Sequence, residues 1–336
     1  MKVRIIAEIA QAHDGSLGQA HAFIDALGKC GVDYIKFQTH IAEYESSFDE
    51  PWRIQFSYED KLRFDYWKRM EFTYFEWKEL YAHVKSVGAE FLGTPFSLEA
   101  FEMLKGIGVS DWKIASGEVA NPLITDAVAA THRPVFLSTG MSNYSELDRV
   151  VGKFDKDLLT LMQCTTKYPT PLTEVGLNIL LEMRDRYGCK VGLSDHSGTV
   201  FPGMAAVSLG ASSVEVHACM SKYDFGPDTD SALEIDSIKW LVEGIRSIEE
   251  MLNNPVDKEI MYDRQKEHRY IFTKSFFAQN DIEKGETITI DNIGVRKPMI
   301  GIPASDAEEV LGKRAGKAIK KSEWIKAEDI DGYRKG

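Results

Sequence analysis

The stretch KVGLSDHSGTVFPGMAAVSLGASSVEVHAC, residues 190–219, carries the pattern that decides the fold. It contains two short apolar runs, 191–193 and 213–216, of the kind that form buried strands, and each run is followed closely by a histidine, His196 or His217. In parallel α/β proteins ligands bind at the carboxyl ends of the strands, and neutral imidazole is the commonest metal ligand. Either histidine alone is more simply explained as an ordinary polar residue at a strand end, so the surrounding residues have to decide.

Short apolar runs and amphipathic segments alternate in the same way from the first residue to about residue 250. Eight strands are predicted, at 3–9, 34–38, 90–94, 111–114, 135–138, 158–164, 190–193 and 213–217. Segments long enough for helices lie between them, for example 18–30, 75–87, 98–107 and 123–130. This alternation predicts an α/β fold, a TIM (β/α)8 barrel over residues 1–252. The alternative is a doubly wound open sheet, which normally has fewer strands and often a Gly-rich dinucleotide loop that this sequence does not show.

Residues 52–73 interrupt the alternation with a segment rich in aromatic and charged side chains. Long insertions at the mouth of a barrel commonly act as lids or substrate-binding loops. An aromatic patch that only packs the insertion against the barrel is an equal alternative.

After about Asn253 the pattern becomes that of a second domain. Residues 253–267 look like a linker, and 268–336 are predicted to form a small β-rich domain with strands at 272–278 and 287–290. A domain of about 65 residues has a marginal core of its own. We therefore expect it to pack on the barrel or on a partner chain.

The composition, with 43% hydrophobic and 27% charged residues among 336, is that of a globular protein with a large core. The net charge of −12 argues against nonspecific binding of nucleic acid. No apolar run approaches the roughly 20 residues that span a bilayer, and the amino terminus does not read as a signal peptide. The spacing of the four cysteines fits neither a disulfide framework nor a zinc ribbon, so we expect free thiols and a cytoplasmic location.

Polar side chains end nearly every predicted strand. They include Glu8, Lys36, Gln38, Thr94, Lys113, Ser116, Glu118, Ser138, Thr139, the run 164–168, Ser194, Asp195 and His196. Two lysines with hydroxyls and nearby glycines suit a phosphate, and two histidines with an acid nearby suit one divalent metal. The convergence of eight strand ends therefore predicts a phosphate-bearing substrate and a metal, although any single lysine is equally compatible with a structural ion pair.

Eight motifs, in order along the chain, resemble the sialic acid synthase family, the nonulosonic acid synthases of bacteria and animals. They are AEIAQAHDG (7–15), IKFQT (35–39), TPFS (94–97), KIASGE (113–118), LSTGM (137–141), YPTP (168–171), LSDH (193–196) and GPD (226–228). The C-terminal segment is similar to the SAF (antifreeze-like) domain of that family. The resemblance implies a TIM barrel followed by a SAF domain, and a domain-swapped homodimer.

That family condenses phosphoenolpyruvate with an open-chain N-acetylated aldose such as N-acetylmannosamine and releases phosphate. Carried over by position, the resemblance implies His196 and His217 as ligands of Mn²⁺ or Mg²⁺, and Glu8 and Glu118 as candidate catalytic acids. The residues implied to hold phosphoenolpyruvate are Lys36, Thr94, Lys113, Ser116, Ser138, Thr166 and Ser194. Those implied to contact the acceptor sugar are Gln38, Tyr168 and Asp228, with Arg296 and Lys297 from the SAF-like segment.

The chain departs from the family pattern mainly where the sugar is expected. AHDG (12–15) replaces Asn-His-(Asn or Glu)-Gly, Val216 stands where a basic residue is common, and RKPMIG (296–301) replaces Arg-Pro-Gly-X-Gly, whose Arg reaches the partner subunit's sugar. Lys297 cannot reproduce the planar fork of an arginine. The sequence thus supports the donor more firmly than the acceptor.

Two other functions stay open. One is a different phosphoenolpyruvate condensation that uses a phosphorylated aldose, against which the SAF-like segment argues. The other is a non-catalytic scaffold, against which the presence of Glu8, His196 and His217 argues.

Overall fold

The computed structural model describes residues 2–334 and divides the chain into two compact units, Met1–Asn254 and Pro255–Gly336. The outermost residues of the two predicted domains, 1 and 335–336, lie outside the described residues. None of the helices between residues 2 and 334 combines the length and the apolar character needed to cross a bilayer.

Eight parallel strands form a closed barrel in the first unit. They are β1 (Arg4–Glu8), β2 (Tyr34–Thr39), β3 (Glu90–Pro95), β4 (Asp111–Ile114), β5 (Val135–Ser138), β6 (Leu159–Cys164), β7 (Lys190–Asp195) and β8 (Ser213–Cys219). Each strand pairs with the next in chain order, and β1 also pairs with β8, with Glu8 opposite His217. A two-residue strand, β9 (Leu233–Glu234), pairs with the end of β8. The predicted TIM barrel is therefore confirmed, because an open sheet would lack the β1–β8 pairing.

Helices surround the barrel and connect its strands. They are α1 (Leu17–Cys30), α2 (Ala42–Glu45), α3 (Arg63–Met70), α4 (Tyr74–Ser86), α5 (Leu98–Ile107), α6 (Pro122–Ala129), α7 (Tyr144–Val151), α8 (Leu177–Tyr187), α9 (Phe201–Ser208) and α10 (Ile235–Asn253). Local sequence sets their ends: the Ser16 hydroxyl accepts from the Gln19 amide at 3.2 Å to cap α1, and Gly31 ends it at φ 76°. Such an N-cap contributes about 1 kcal/mol.

Side chains fill the inside of the barrel in layers. Ile6, Tyr34, Leu92, Phe136 and Met162, each from a different strand, form a hydrophobic cluster in the interior. Because side chains alternate along a strand, residues two positions further toward the carboxyl end point into the same interior. The next layer consists of Glu8, Lys36, Thr94, Ser138 and Cys164. The apolar layer is therefore followed, two residues further along each strand, by a polar one.

The aromatic insertion, with α2 and α3, lies between β2 and α4. The Arg69 guanidinium fastens its base, donating to Asp14 at 2.6 Å and to Asp60 at 2.8 Å. The rings of Phe56 and Tyr66 pack edge to face with centroids 5.1 Å apart. The insertion therefore packs through its own aromatic side chains, which both interpretations allow.

The second unit has its own small core and a short antiparallel sheet. Its elements are α11 (Lys258–Arg264), α12 (Lys266–Phe272), β10 (Ser275–Ala278), β11 (Ile293–Arg296) and α13 (Ala307–Val310). The predicted linker 253–267 thus contains α11 and the start of α12. The core residues of the second unit are Phe276, Ala278, Ile282, Ile288, Ile293, Ile302, Val310, Ala315, Ile319, Ile325 and Ile330.

The predicted strand at 287–290 was wrong. Only Thr287 forms an isolated bridge there, and the backbone amide of Thr289 is capped by the Asn292 side chain at 2.8 Å, which turns the chain. The strand that pairs with β10 is β11 instead. Ile288 is buried in the core of the second unit, which explains why this segment had an apolar, strand-like pattern.

Candidate active site

A cavity of about 410 Å³ opens at the carboxyl ends of the barrel strands. Most of the residues singled out in the sequence line it: Glu8, Lys36, Gln38, Lys113, Ser116, Glu118, Ser138, Thr166, Tyr168, Ser194, His196, His217 and Asp228. These residues are spread over more than 200 positions of the chain. Closure of the barrel brings them to one site.

The floor of this cavity is a buried network of two lysines and two carboxylates. Lys36 Nζ forms ion pairs with Glu8 and, at 2.9 Å, with Oε1 of Glu215. The same Oε1 lies 3.8 Å from Lys113 Nζ and accepts a hydrogen bond from the Ser194 hydroxyl at 3.2 Å. All four charged side chains are at most 4% exposed. We call Glu8, Lys36, Lys113 and Glu215 the floor network.

Electrostatics explain why these charges coexist in a dry interior. Burial by itself would raise the pKa of Glu215, but the Lys113 and Lys36 ammonium groups outweigh it and lower that pKa to about 2. Burial lowers the pKa of Lys36 to about 8, against the attraction of Glu215. The Glu215 charge therefore holds two ammonium groups together that would otherwise repel each other.

Hydroxyl groups and a backbone amide extend the floor toward β4, β5 and β6. Lys113 Nζ donates to the Ser138 hydroxyl, and the Gly140 amide donates to the Ser116 hydroxyl at 3.1 Å. A Cβ atom on Gly140 would lie 2.5 Å from the Thr166 hydroxyl oxygen and 3.0 Å from that of Ser116. Glycine is thus required for these donors to converge, and the converged set suits an anion with several oxygen atoms.

The two histidines stand side by side next to the floor network, with ring centroids 5.3 Å apart. Nδ1 of His196 lies 2.8 Å from the Thr165 carbonyl oxygen, so it donates there and leaves Nε2 with its lone pair, 3.1 Å from the Tyr168 hydroxyl. Burial is the main reason why the pKa of each histidine is lowered to about 3. The neighbouring His217 lowers the pKa of His196 further, and the Lys36 ammonium lowers the pKa of His217 further. Both rings are therefore neutral near pH 7, the form that binds metal.

The histidine pair fits a divalent metal. The carbonyl that fixes the tautomer of His196 is the kind of partner that orients metal-bound imidazoles. Over residues 2–334, no three His, Cys, Asp or Glu side chains are grouped in a metal-binding arrangement. The pair therefore suits an ion that takes its remaining ligands from water or substrate oxygens, as Mg²⁺ and Mn²⁺ do.

A chain of polar side chains runs from the floor to the wall of the cavity. The Gln38 amide donates to Glu8 at 3.4 Å and accepts from Gln11 at 2.6 Å. Gln11 also donates to His40 Nε2 at 2.8 Å, and His40 Nδ1 lies 2.6 Å from Glu45 Oε1. These contacts fix the orientation of Gln38 and Glu8 in the cavity.

Glu118, the second predicted catalytic acid, lies on the wall of the same cavity. It accepts a hydrogen bond from the Asn121 amide at 2.7 Å. Burial raises the pKa of the Glu118 carboxyl above its ordinary value, and this outweighs the hydrogen bond. A raised pKa is what a carboxyl needs to hold a proton nearer to neutral pH.

Three of the site residues implied by the resemblance are not among those that line the cavity. Thr94 is buried, and its hydroxyl has no hydrogen-bond partner within residues 2–334. Arg296 and Lys297 lie in the second unit, where the Arg296 guanidinium is 4.3 Å from the Phe277 ring centroid and 4.5 Å from that of Trp324. The predicted sugar contact of these two residues stays a prediction.

Sequence reasoning missed several residues that line the cavity, above all Glu215 and Arg53. Glu215 had a readable signal: it is a carboxylate inside a valine-rich strand, two positions before His217, and so on the same face. Arg53 had none, because its partner Asp228 is 175 positions away. Gln11 and His40 likewise follow β1 and β2 at positions where the backbone path cannot be read from periodicity.

A closed β/α barrel with buried lysines, carboxylates and paired histidines at the carboxyl ends of its strands is the architecture of an α/β-barrel enzyme. The chain belongs to the NeuB family, the sialic acid synthase family, whose sequence pattern matches residues 23–257. Residues 273–331 match the SAF domain. The predicted resemblance and the predicted SAF domain are confirmed, and the protein is an enzyme of this family.

Named relatives are similar along nearly the whole chain. An N,N'-diacetyllegionaminic acid synthase from Campylobacter jejuni is 33% identical and aligns with 97% of this chain and 99% of its own. A pseudaminic acid synthase from Helicobacter pylori is 30% identical, with 98% of each chain covered. The N-acetylneuraminate-9-phosphate synthase of Mus musculus is 26% identical over 98% of this chain and 93% of its own.

Solved structures with a similar fold include two kinds of synthase. An N-acetylneuraminic acid (sialic acid) synthetase from Leptospira borgpetersenii superposes with a TM-score of 0.71 at 28% identity, covering 80% of this chain and 92% of that one. A truncated 3-deoxy-D-arabino-heptulosonate 7-phosphate synthase from Thermotoga maritima has a TM-score of 0.56 at 12% identity, over 76% of this chain and 90% of that one. The second likeness concerns the fold alone.

Proposed function

We propose that this protein condenses phosphoenolpyruvate with an open-chain, N-acetylated aldose and releases phosphate, giving a nine-carbon 2-keto acid. The observation that carries the proposal is the floor network beside the histidine pair. Two ammonium groups held 2.9 and 3.8 Å from one carboxylate oxygen, next to converging hydroxyl groups, suit a phosphorylated carboxylic acid. The relatives named for legionaminic, pseudaminic and neuraminate synthesis support the same kind of reaction.

The floor network and the neighbouring hydroxyl groups would hold the donor. Lys36 and Lys113 would supply charge, and the hydroxyls of Ser116, Ser138, Thr166 and Ser194 would supply directed hydrogen bonds. Thr94, implied by the resemblance, lies in the same layer as Glu8, Lys36 and Ser138, and its hydroxyl, unpartnered among the described residues, would be a further donor. Preorganised donors of this kind stabilise negative charge as it develops on the departing phosphate.

In the reaction carbon 3 of phosphoenolpyruvate attacks the aldehyde carbon, and the aldehyde oxygen takes up a proton to become a hydroxyl group. Water adds at carbon 2 and gives up a proton, and the bond between carbon 2 and the phosphate oxygen then breaks, which releases phosphate and leaves the keto group. Glu8, fixed by Lys36 and Gln38 at the base of the cavity, is the carboxyl best placed to move a proton between these oxygen atoms. Glu118 is the second candidate acid. A divalent metal, Mn²⁺ or Mg²⁺, held by His196 and His217, would supply Lewis-acid polarisation of the aldehyde oxygen.

The outer part of the cavity favours an unphosphorylated acceptor. Its carboxylates are Glu45, Glu50, Glu118 and Asp228, and its arginines are Arg53 and Arg63. Each arginine is already paired with a carboxylate, Arg53 with Asp228 at 2.7 Å and Arg63 with Glu50 at 3.2 Å. A phosphate on the aldose would therefore meet net negative charge, whereas the rings of Trp52, Phe56, Tyr66, Trp67 and Phe96 offer apolar surface for acetyl groups.

The second unit would complete the site across a domain-swapped homodimer, with Arg296 and Lys297 reaching the acceptor of the partner subunit. This follows the family pattern in the SAF domain. We also place the enzyme in the reducing cytoplasm, where its four free, buried cysteines would stay reduced.

The test is phosphate release from phosphoenolpyruvate with Mn²⁺ and a panel of N-acetylated and phosphorylated aldoses. The proposal expects release only when an N-acetylated, unphosphorylated aldose is present. Release with phosphorylated aldoses alone would identify a different condensing synthase. No release with any aldose would favour a scaffold that has kept the barrel.

A further inference from the structure

The insertion brings two guanidinium groups to the cavity, Arg53 and Arg63. Arg63 pairs with Glu50 at 3.2 Å, whereas Arg53 contacts the residues around the histidine pair. The Arg53 guanidinium carbon lies 4.5 Å from the centroid of the Tyr168 ring, and Tyr168 stacks on His196 with centroids 4.1 Å apart. Arg53 Nη2 donates to Asp228 at 2.7 Å and to the Pro227 carbonyl at 3.2 Å. Arg53 is therefore the outer member of a stack that ends on a predicted metal ligand.

The hydrogen-bonding capacity of Arg53 is only partly used. An arginine carries five N–H donors, and within residues 2–334 its hydrogen bonds come from Nη2 alone. Its charge, in contrast, is balanced by Asp228, whose other oxygen lies 3.9 Å from His217 Nδ1. A guanidinium with a paired charge and spare donors suits an uncharged oxygen acceptor better than an anion.

The position of this pair indicates which part of the acceptor it meets. If the aldehyde oxygen of the sugar lies at the histidine pair, the nitrogen on the neighbouring carbon lies three bonds from that oxygen. Tyr168, stacked on His196, and Arg53, over the other side of the stack, are then the groups beside this substituent. In a 2-acylamino aldose that substituent ends in an amide carbonyl, an uncharged oxygen that accepts hydrogen bonds in a plane. The planar fork of an arginine matches it, and the apolar faces beside it suit the acyl group.

We propose that Arg53 is a specificity-determining residue that donates hydrogen bonds to the acylamino carbonyl of the acceptor, oriented by Asp228 and Tyr168. The inference rests on the proposed function. It assigns acceptor recognition within the barrel to the same chain that holds the histidine pair, through an arginine that is absent from the family pattern noted in the sequence.

The test compares Arg53→Lys and Arg53→Met with the wild-type full-length enzyme, using phosphate release with N-acetylmannosamine, 2,4-diacetamido-2,4,6-trideoxyhexoses and mannose as acceptors. In wild type, the acylated sugars should have kcat/KM values at least about 10-fold above mannose, the scale of one hydrogen bond to a charged group. Both variants should lose most of that preference, with KM for the best acceptor raised about 10-fold and KM for phosphoenolpyruvate unchanged.

Arg186→Lys is the matched control. Arg186 forms the same two kinds of contact on the outer surface, with Asp148 at 2.6 Å and with the Tyr144 ring at 5.0 Å, and it should change neither KM. If Arg53 only tied down the insertion, its loss would lower kcat/KM for acylated and plain sugars alike, and the preference would persist. That result, or unchanged kinetics, would overturn the assignment of Arg53 while leaving the proposed function standing. No turnover by wild type with any acceptor would overturn both.

Discussion

The barrel has an ion cluster at each end, and the two clusters are built differently. At the carboxyl end, the floor network places two lysines and two carboxylates against the cavity. At the amino end, Asp33 accepts from the Ile5 amide at 2.9 Å and pairs with Arg246 at 2.5 Å and with Lys2 at 2.6 Å. The first cluster presents its charges to a ligand site, whereas the second binds its own chain.

The amino-end cluster closes the barrel. Arg246 from α10, the last barrel helix, donates to the Val3 carbonyl at 2.9 Å and to Glu249 at 2.9 Å, and Glu249 accepts from the Val3 amide. The cluster therefore joins the start of β1 to α10 and, through Asp33, to the start of β2. The two ends therefore differ in what their charges contact: the backbone and other ion-pair partners at the amino end, and a cavity at the carboxyl end.

The largest expected effect is that of His217→Ala. Loss of one imidazole of the pair should lower metal-dependent turnover by at least about 10³-fold, the scale of Lewis-acid stabilisation by several kcal/mol. Mn²⁺ binding, followed by electron paramagnetic resonance, should weaken in parallel, while circular dichroism stays native. The exposed His268→Ala serves as the control. Full activity of His217→Ala would remove His217 from the metal site.

Lys113→Met probes the floor network itself. Removal of one ammonium group should cut phosphate release by about 10²–10³-fold, as for other preorganised donors, and raise KM for phosphoenolpyruvate more than KM for the aldose. It should also destabilise the fold, because Glu215 loses one of its two cations in a buried position. Lys190→Met, at an exposed lysine on the amino end of β7, should do neither. An equal rise in both KM values would argue that Lys113 does not hold the donor.

A chain that ends at Asn254 tests the role of the second unit. It should stay folded, because the barrel core is contained in residues up to 254, but lose at least about 10²-fold in turnover if the partner subunit's SAF domain completes the site. Mixing it with full-length His217→Ala should restore activity, since one chain supplies an intact barrel and the other an intact SAF domain. An active truncated chain would show that the second unit is dispensable.

The smallest effect on activity is expected at the amino end. Asp33→Asn should leave kcat and KM unchanged but lower the free energy of unfolding by about 1–3 kcal/mol, because a largely buried hydrogen-bonded charge pair is broken. The exposed Asp148→Asn should destabilise the fold much less, because a solvent-exposed ion pair contributes little. A lower kcat or a higher KM in a stably folded Asp33→Asn enzyme would show that the amino-end cluster contributes to activity as well as to stability.

The stability lost in Asp33→Asn should depend on pH. Burial alone would raise the pKa of Asp33, but hydrogen bonds from Lys2, Ile5 and Arg246 hold that pKa below its ordinary value. Its stabilising contribution is therefore complete above the unfolded pKa of about 3.9 and is lost as the pH falls through the lower folded pKa. The difference in unfolding free energy between wild type and Asp33→Asn should stay constant from about pH 7 to about pH 5 and shrink below about pH 4.

Much of the barrel could be predicted from the sequence pattern, because strands that are buried on both faces are short apolar runs. Ligands of such barrels bind at the carboxyl ends of the strands, so the polar residues there could be singled out. The eight predicted strands and the helix at 98–107 lie where the structure has them. The 287–290 segment shows the limit: Ile288 is buried as one residue of a turn-rich core, and an apolar residue flanked by threonines has the same pattern whether or not a partner strand exists.

The site was predictable where strand register places it and hidden where loops do. Glu8, Lys36 and Ser138 follow two positions after the apolar layer, so alternation along each strand sends them into the cavity. Arg53 reaches the cavity only because the insertion folds back over the mouth to Asp228. Such contacts depend on a loop path that no local pattern encodes.

The sequence by itself determined the barrel, the second domain and the residues that strand ends bring to one mouth, because alternation and burial are local rules that repeat. Only the tertiary structure decided how the charges share that mouth. It placed Glu215 between two lysines and set Arg53 against Asp228. These are long-range pairings, and their energies depend on burial and distance in the closed barrel rather than on residue type.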